Sequence, residues 1–386
     1  YHCPIIQNNF ERPLIRLFGN MDISDRHGFS NFVFRLNQQV YDYSQKVSWL
    51  YIHDIEYEAS VYGLEQWHDL TAWYMYKYAM AINAIPGYCY NLSKIVKSLY
   101  GKNKKVLVVD LDNTLWGGVI SEDGLNGVKL GDDSAAGEMY GEIQGYIKDQ
   151  KDIGVVLAIN SKNDMSNVEL AFSHPDMQLR LGDFLAVEAN WNNKAENILK
   201  IADKLNLGLD SLVFIDDNPM ERANVKEQLP AVAVPELADP EGYIKLLNAA
   251  GYFEVTHISE EDKKRVQMYQ AGEKCRLEKE KYKDYNEFLM SLEMESIIRK
   301  IDEESVRRVA QLTNKSNQFN LTTKRLTEEY IRELMVNENY ICLYGRLKDR
   351  FGDNGIVSVL IARKEGKEAF IELFLMSCRV LKRGME

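Results

Sequence analysis

Lys105–Gly118 reads KVLVVDLDNTLWGG. Its apolar run ends on Asp110, and Leu111 alone separates that residue from Asp112. An unbroken apolar run of this length reads as a strand covered on both faces, as parallel sheets are. Carboxylates are costly to bury, so two of them at the tip of such a strand imply a metal, a partner or a chemical task.

From Lys104 to about Pro235 the pattern alternates. KVLVVDLD, VVLAINS, a short run near Leu185 and SLVFIDD read as strands, and AGEMYGEIQGYIKDQKDIG, MSNVELAFS, KAENILKIADKLNLG and PMERANVKEQL read as helices. This alternation predicts an α/β core with a doubly wound parallel sheet. In such sheets the chemistry collects beyond the carboxyl ends of the strands. Asp110 and Asp112, then Ser161, then Lys194 at a helix start, then Asp216 and Asp217 occupy those ends. Crowded carboxylates need a hard cation, and Mg²⁺ suits a carboxylate site handling phosphate. A hydroxyl and an ammonium suit phosphate oxygens. The expected chemistry is phosphoryl transfer, with one aspartate of the DxD pair facing phosphorus and the other the leaving-group oxygen.

DLDNT, then Ser161, Lys194 and IDDNP, resembles the four ordered motifs of the haloacid dehalogenase (HAD) phosphohydrolase superfamily. LDNTLWGGVISEDG, NSKND and FIDDNPMER resemble more narrowly its FkbH-like branch. The resemblance implies that Asp110 is the nucleophile forming an aspartyl-phosphate and Asp112 the general acid and base. It implies that Ser161 and Lys194 grip the phosphoryl group, and that Mg²⁺ sits among Asp110, the Asp112 carbonyl and Asp217, with Asp216 beside it. Asn113 and Thr114 are assigned to the phosphate-binding loop, where they also serve its backbone. Taken singly, these residues would be turn residues, helix caps and a solvated lysine. Their occurrence together and in order favours the site.

Neither inter-motif gap is long enough to fold a cap domain, so the core is expected to be capless and its mouth open. That suits a phosphorylated small molecule or a carrier-tethered substrate. FkbH-like members load a glyceryl group from 1,3-bisphosphoglycerate onto an acyl carrier protein, which gives the alternative activity. Such members tend to carry a cysteine before the second-motif serine, where this chain has Asn160. Phosphatase chemistry is therefore the reading adopted. A receiver-like signalling module would place its lysine last, whereas Lys194 precedes the final acids; a non-catalytic scaffold is disfavoured by the intact acids.

Three domains are expected: a partial α/β region over 1–102, the HAD core over 103–250, and a linker helix with a partial α+β domain over 251–386. The first resembles part of an SGNH esterase fold, the last part of a GNAT acyltransferase. The first is expected to hold a helix over 30–44, a strand over 47–55, a helix over 73–84 and a helix closing at Gly101. The last is expected to open with a charged helix over about 260–278 and to end in three strands separated by GDNG and KEGK. In that resemblance a pantetheine-binding loop would fall near Arg379–Gly384. His68 reads as a structural histidine, because no serine-bearing half of an esterase accompanies it and Glu65 stands where an aspartate is wanted. Asp54 reads as a turn residue, and Trp116–Gly118 as a flap or tight turn.

With 58 acidic against 47 basic residues, a net charge of -11 and pI near 5.3, neither nucleic acid nor an anionic membrane is the expected partner. Five scattered cysteines without a CxxC pair suggest reduced thiols. No signal peptide or membrane span is apparent, and a cytoplasmic location is expected. The chain starts at Tyr1 without Met and stops at Glu386. It is expected to be a piece of something longer.

Overall fold

The computed structural model describes residues 3–258, 265–279, 281–315, 320, 324–377, 380–381 and 383–386. It divides into two compact units. One comprises Tyr1–Gly101, Lys300–Leu343 and Leu360–Leu375, and the other Lys102–Arg299, Tyr344–Val359 and Met376–Glu386. The expected boundary after residue 250 therefore lies inside a unit. Among the described residues no helix is long and apolar enough to cross a membrane.

In the first unit, β1 (Ile5–Asn8) and β2 (Leu50–His53) form a parallel pair with Asn8 opposite His53. The strand is shorter than its apolar pattern suggests, because the Asp54 carboxylate accepts from Tyr57 N and starts α2 (Ile55–Tyr62). Helix α1 spans Phe29–Ser44, and α3 (Leu64–Trp67) ends at His68. The helix expected over 73–84 is instead α4 (Leu70–Tyr76), which Asp69 caps and Lys77 stops at φ 61°. Helix α5 runs over Ile85–Leu99.

The site is carried by the second unit. Its parallel sheet has the order β5-β4-β3-β6, from β3 (Val106–Val109), β4 (Val156–Ser161), β5 (Phe184–Ala189) and β6 (Leu212–Ile215). Side chains of a strand alternate between faces, and both faces here are covered. Leu107, Val109, Leu157, Ile159, Val213 and Ile215 pack on one side with Ile143 and Ile147 of α7 (Ala135–Asp152). Val106, Val108, Val156, Ala158 and Phe214 pack on the other with Ile198, Ile201 and Leu205 of α9 (Lys194–Leu205). Burying each such aliphatic side chain contributes about 1.5–3 kcal/mol.

Three helix starts are written in their caps. Ser134 accepts from Gly137 N at α7, Asn193 from Ala195 N at α9, and Asn218 from Met220 N at α10 (Pro219–Gln228), whose first residue is proline. Between Thr114 and α7 lie only α6 (Ile120–Asp123) and a loop closed by mutual backbone hydrogen bonds of Gly117 and Lys129. Between β4 and α9 lie α8 (Met165–Ala171), a 3-10 turn and β5.

After α11 (Tyr243–Ala250), the charged linker is described as α12 (Arg265–Lys279); residues 260–264 of the expected helix lie outside the described residues. Helices α13 (Tyr285–Ser291), α14 (Glu303–Lys315) and α15 (Glu328–Val336) follow. The terminal sheet has four strands rather than three: β7 (Glu295–Lys300), β8 (Tyr340–Asp349), β9 (Gly352–Glu365) and β10 (Glu368–Met376), in the order β10-β9-β8-β7. GDNG is not its turn. The Asp349 carboxylate accepts from Phe351 N and Gly352 N, so the chain reverses earlier and GDNG begins β9. The turn at KEGK falls where expected, between Glu365 and Glu368. Of the expected pantetheine loop, Arg379 and Lys382 lie outside the described residues.

Candidate active site

The register that aligns Val109 with Ile159 on one side and Ile215 on the other puts Asp110, Asn160 and Asp216 level at the tips of three adjacent strands. Asp110 N donates to Ile215 O at 2.9 Å, holding the first and last motifs together. One carboxylate oxygen from each of Asp110, Asp216 and Asp217 lies within 4.8 Å of the others. Lys194, 3% exposed, donates from Nζ to Asp110 Oδ1 at 2.8 Å and to Asp216 Oδ2. Asp110 Oδ2 has no hydrogen-bond partner among the described residues.

Three carboxylates around one ammonium leave two negative charges uncompensated, and the oxygen donor set suits a hard divalent cation. The titration of the group reflects this. Burial works against the charge on Lys194, but Asp110 and Asp216 outweigh it and raise its pKa. Burial, then the charge of Asp110, pushes Asp216 up to about 6 against the opposing pull of Lys194. The same two causes raise Asp217.

A pKa raised on folding means that the native state keeps a proton the unfolded chain has released. In chelator, Asp216 therefore costs nothing below about pH 4 and destabilises increasingly as pH rises through about 6. The expected result is that Asp216→Asn gains stability over the parent as pH rises from 4 to 7. Urea unfolding of both proteins across that range checks it, and a gap that does not change with pH would count against it.

Asp112 lies outside this cluster of oxygens. Its Oδ1 accepts from Trp116 Nε1 at 2.9 Å and Ile120 N at 3.0 Å, and its Oδ2 from Asn163 Nδ2 at 2.7 Å. Ser161 ends β4, almost fully buried, and its hydroxyl makes no hydrogen bond among the described residues. Asn113 and Thr114 serve the backbone of the loop, as expected. Asn113, at φ 55°, accepts at Oδ1 from Gly118 N, and the buried Thr114 hydroxyl accepts from Asp217 N at 3.2 Å. Asn160 donates to Lys194 O at 2.9 Å and accepts from Asn197 at 3.2 Å, which fixes the start of α9 from behind. His68 and Asp54 belong to the other unit. Asp54 accepts from Asn9 and Tyr57 N, and His68 Nε2 is buried without a partner among the described residues.

Two supporting residues escape the sequence reading. Arg222 Nη1 donates to Asp216 O and Asp217 O at 2.8 and 2.7 Å, and its Nη2 to Leu237 O at 2.9 Å. Asn163 holds Asp112. Their only sequence signal is position: each lies within a few residues of a motif, in NSKND and in DDNPMER.

No protein-family model and no curated protein matches the sequence. Among solved structures, the N-terminal part of protein BF1531 from Bacteroides fragilis, containing a phosphatase domain and complexed with Mg, is 33% identical. The match covers 66% of this chain and 68% of that one, with a TM-score of 0.63. A subfamily IA HAD-superfamily hydrolase from Geobacter sulfurreducens is 14% identical over 37% of this chain and 99% of its own, with a TM-score of 0.25. The cobalt-bound deoxy-D-mannose-octulosonate 8-phosphate phosphatase from Haemophilus influenzae is 16% identical over 39% of this chain and 92% of its own, with a TM-score of 0.26. The last two are too distant to carry an argument. The Bacteroides phosphatase domain is near enough in sequence and coverage to decide kinship, and the chain belongs with it to one family of phosphatase domains.

Proposed function

We propose that this chain is a Mg²⁺-dependent phosphohydrolase that works through an aspartyl-phosphate on Asp110. The observation that carries the reading is the meeting of Asp110, Asp216 and Asp217 oxygens within 4.8 Å beside a buried Lys194. Asp110, Asp217 and the Asp112 carbonyl would hold Mg²⁺, with Asp216 as a further ligand or orienting group; the all-oxygen set and the uncompensated charge fit it. When bound, the ion supplies positive charge against the phosphoryl oxygens. The Bacteroides relative was crystallised with Mg.

The chain's own groups do the rest. Lys194 keeps Asp110 Oδ1 occupied, so Oδ2 is the oxygen free to attack phosphorus. Asp112 protonates the leaving oxygen and then takes a proton from the water that hydrolyses the aspartyl-phosphate. The Ser161 hydroxyl and the Lys194 ammonium bind non-bridging oxygens and position the phosphorus for in-line attack.

The finer reading is an FkbH-like enzyme with an SGNH-like region before the core and a GNAT-like region after it. The short elements between the motifs support a capless, open mouth, suited to a phosphorylated small molecule, an acyl phosphate such as a glyceryl donor, or a substrate on an acyl carrier protein. Asn160 is wholly buried, bound to Lys194 O and carries no thiol, which supports hydrolysis over glyceryl transfer. A cytoplasmic location remains part of the same reading.

The test is phosphate release from an aryl phosphate and from an acyl phosphate. The expected result is turnover with Mg²⁺ that chelator abolishes and that Asp110→Asn lowers by more than about 10⁴-fold, a fraction of the acceleration such hydrolysis demands. An Asp110→Asn variant as active as the parent would falsify the proposal.

A further inference from the structure

Lys162, Asn163 and Asp164 follow β4, and each reaches a segment that follows a different strand of the sheet. Lys162 Nζ pairs with Glu221 beyond β6, Asn163 Nδ2 donates to Asp112 Oδ2 beyond β3, and Asp164 Oδ1 accepts from Trp191 Nε1 beyond β5. The outer two contacts are exposed and hold weakly. Asp164 is the N-cap residue of α8, yet its side chain accepts from no amide of that helix. Asn163 is 2% exposed, so its contact is sheltered from water and is the strong one.

The Asp112 carboxylate has about four acceptor positions, two on each oxygen. Both on Oδ1 are taken, by the Trp116 indole and the Ile120 amide. Oδ2 carries the single donor Asn163, at 2.7 Å, and keeps one position open. We propose that Asn163 is a positioning residue that locks the Asp112 carboxylate with Oδ2 as the oxygen that meets the leaving group. The inference rests on the phosphohydrolase reading above.

An Asp110 oxygen forms its bond to phosphorus as the bond from phosphorus to the leaving oxygen breaks. The leaving oxygen keeps that electron pair and takes the proton from Asp112 Oδ2. In the second half, water attacks phosphorus and gives its proton to Oδ2, and the bond from phosphorus to Asp110 breaks to restore the carboxylate. Rotating the Asp112 carboxylate out of this plane would break the two hydrogen bonds at Oδ1, and Asn163 opposes that rotation.

The experiment compares the parent, Asn163→Ala and Trp116→Phe on p-nitrophenyl phosphate, whose phenolate leaves unaided, and on a simple alkyl phosphate, whose alkoxide needs the proton. It also follows the indole N–H resonances of the five tryptophans by nitrogen-15 NMR, with that of Trp116 identified by its loss in Trp116→Phe. Asn163→Ala is expected to lower kcat/KM for the alkyl ester about 100-fold and for the aryl ester less than about 5-fold. It is also expected to shift the Trp116 resonance as Asp112 is released. Equal losses on the two esters, or an unmoved indole, would overturn the proposal. A parent that turns over neither ester would overturn the phosphohydrolase reading, and an indole shift would then mark Asn163 as a structural contact only.

Discussion

Lys194→Met is expected to lose about 3 kcal/mol of stability at pH 7.5 in chelator and at least about 10³-fold in turnover. The lysine is buried between Asp110 and Asp216, and methionine fills its volume without its charge. Removing one partner of a buried ion pair leaves the others desolvated and unpaired, which costs far more than the pair contributes. The sign with pH follows from the same groups. Without the ammonium, which pulls both groups down, Asp216 and Asp217 hold protons to higher pH when folded, so the deficit should be smallest near pH 5 and widen towards pH 8. Mg²⁺ should restore more stability to the variant than to the parent, because the variant has one more uncompensated negative charge. Urea unfolding at several pH values, with and without Mg²⁺, reads these effects. Equal stability of the two proteins in chelator would show that Asp110 and Asp216 do not depend on Lys194 for their charge balance.

The residues that meet in this cluster were legible because each follows an unmistakable element. Val106–Val109 and Leu212–Ile215 are apolar throughout, both are wholly buried, and each hands on directly to an aspartate. Strand-end position and parallel register then do the geometric work, since neighbouring parallel strands bring their next residues level. Lys194 was legible as the first residue of an amphipathic helix after the Asn193 cap.

What holds those residues was not legible. Asn163 and Arg222 are polar residues in a loop and on a helix, positions that ordinarily face water. Their burial depends on how three loops and the turn after β6 cross, which no periodicity encodes. Asn113 and Thr114 illustrate the same limit from the other side. Their service to the loop backbone was expected, but not the partners, which loop geometry makes Gly118 N for Asn113 and Asp217 N for Thr114. Where turn chemistry competes locally the reading failed by a few residues. GDNG has the composition of a hairpin turn, but Asp349 captures two backbone amides first and the glycines enter β9. Asp54 similarly ends β2 by capping the next helix, although the apolar pattern runs on to Ile55.

Arg222 gives the second large effect. Its guanidinium spans three carbonyls, those of Asp216, Asp217 and Leu237, and so fixes the backbone from which two of the clustered carboxylates project. The fork geometry matters more than the charge, because a lysine ammonium at the end of a flexible stem cannot meet all three acceptors in the same arrangement. Arg222→Met takes the guanidinium from three carbonyls, two of its bonds being buried, and is expected to cost about 3 kcal/mol; Arg222→Lys should recover only part of that. The effect on function is separable from the effect on stability. Residues that orient metal ligands typically account for 10–100-fold in metal affinity, so in Arg222→Lys the Mg²⁺ concentration giving half-maximal activity should rise about 10-fold while turnover at saturating Mg²⁺ changes little. Mg²⁺ titrations of activity and of thermal unfolding midpoint, run on the same samples, measure both. A variant that is less stable but has an unchanged Mg²⁺ requirement would assign Arg222 to the fold alone, and would mean that the Asp216–Asp217 turn keeps its shape without the arginine beneath it.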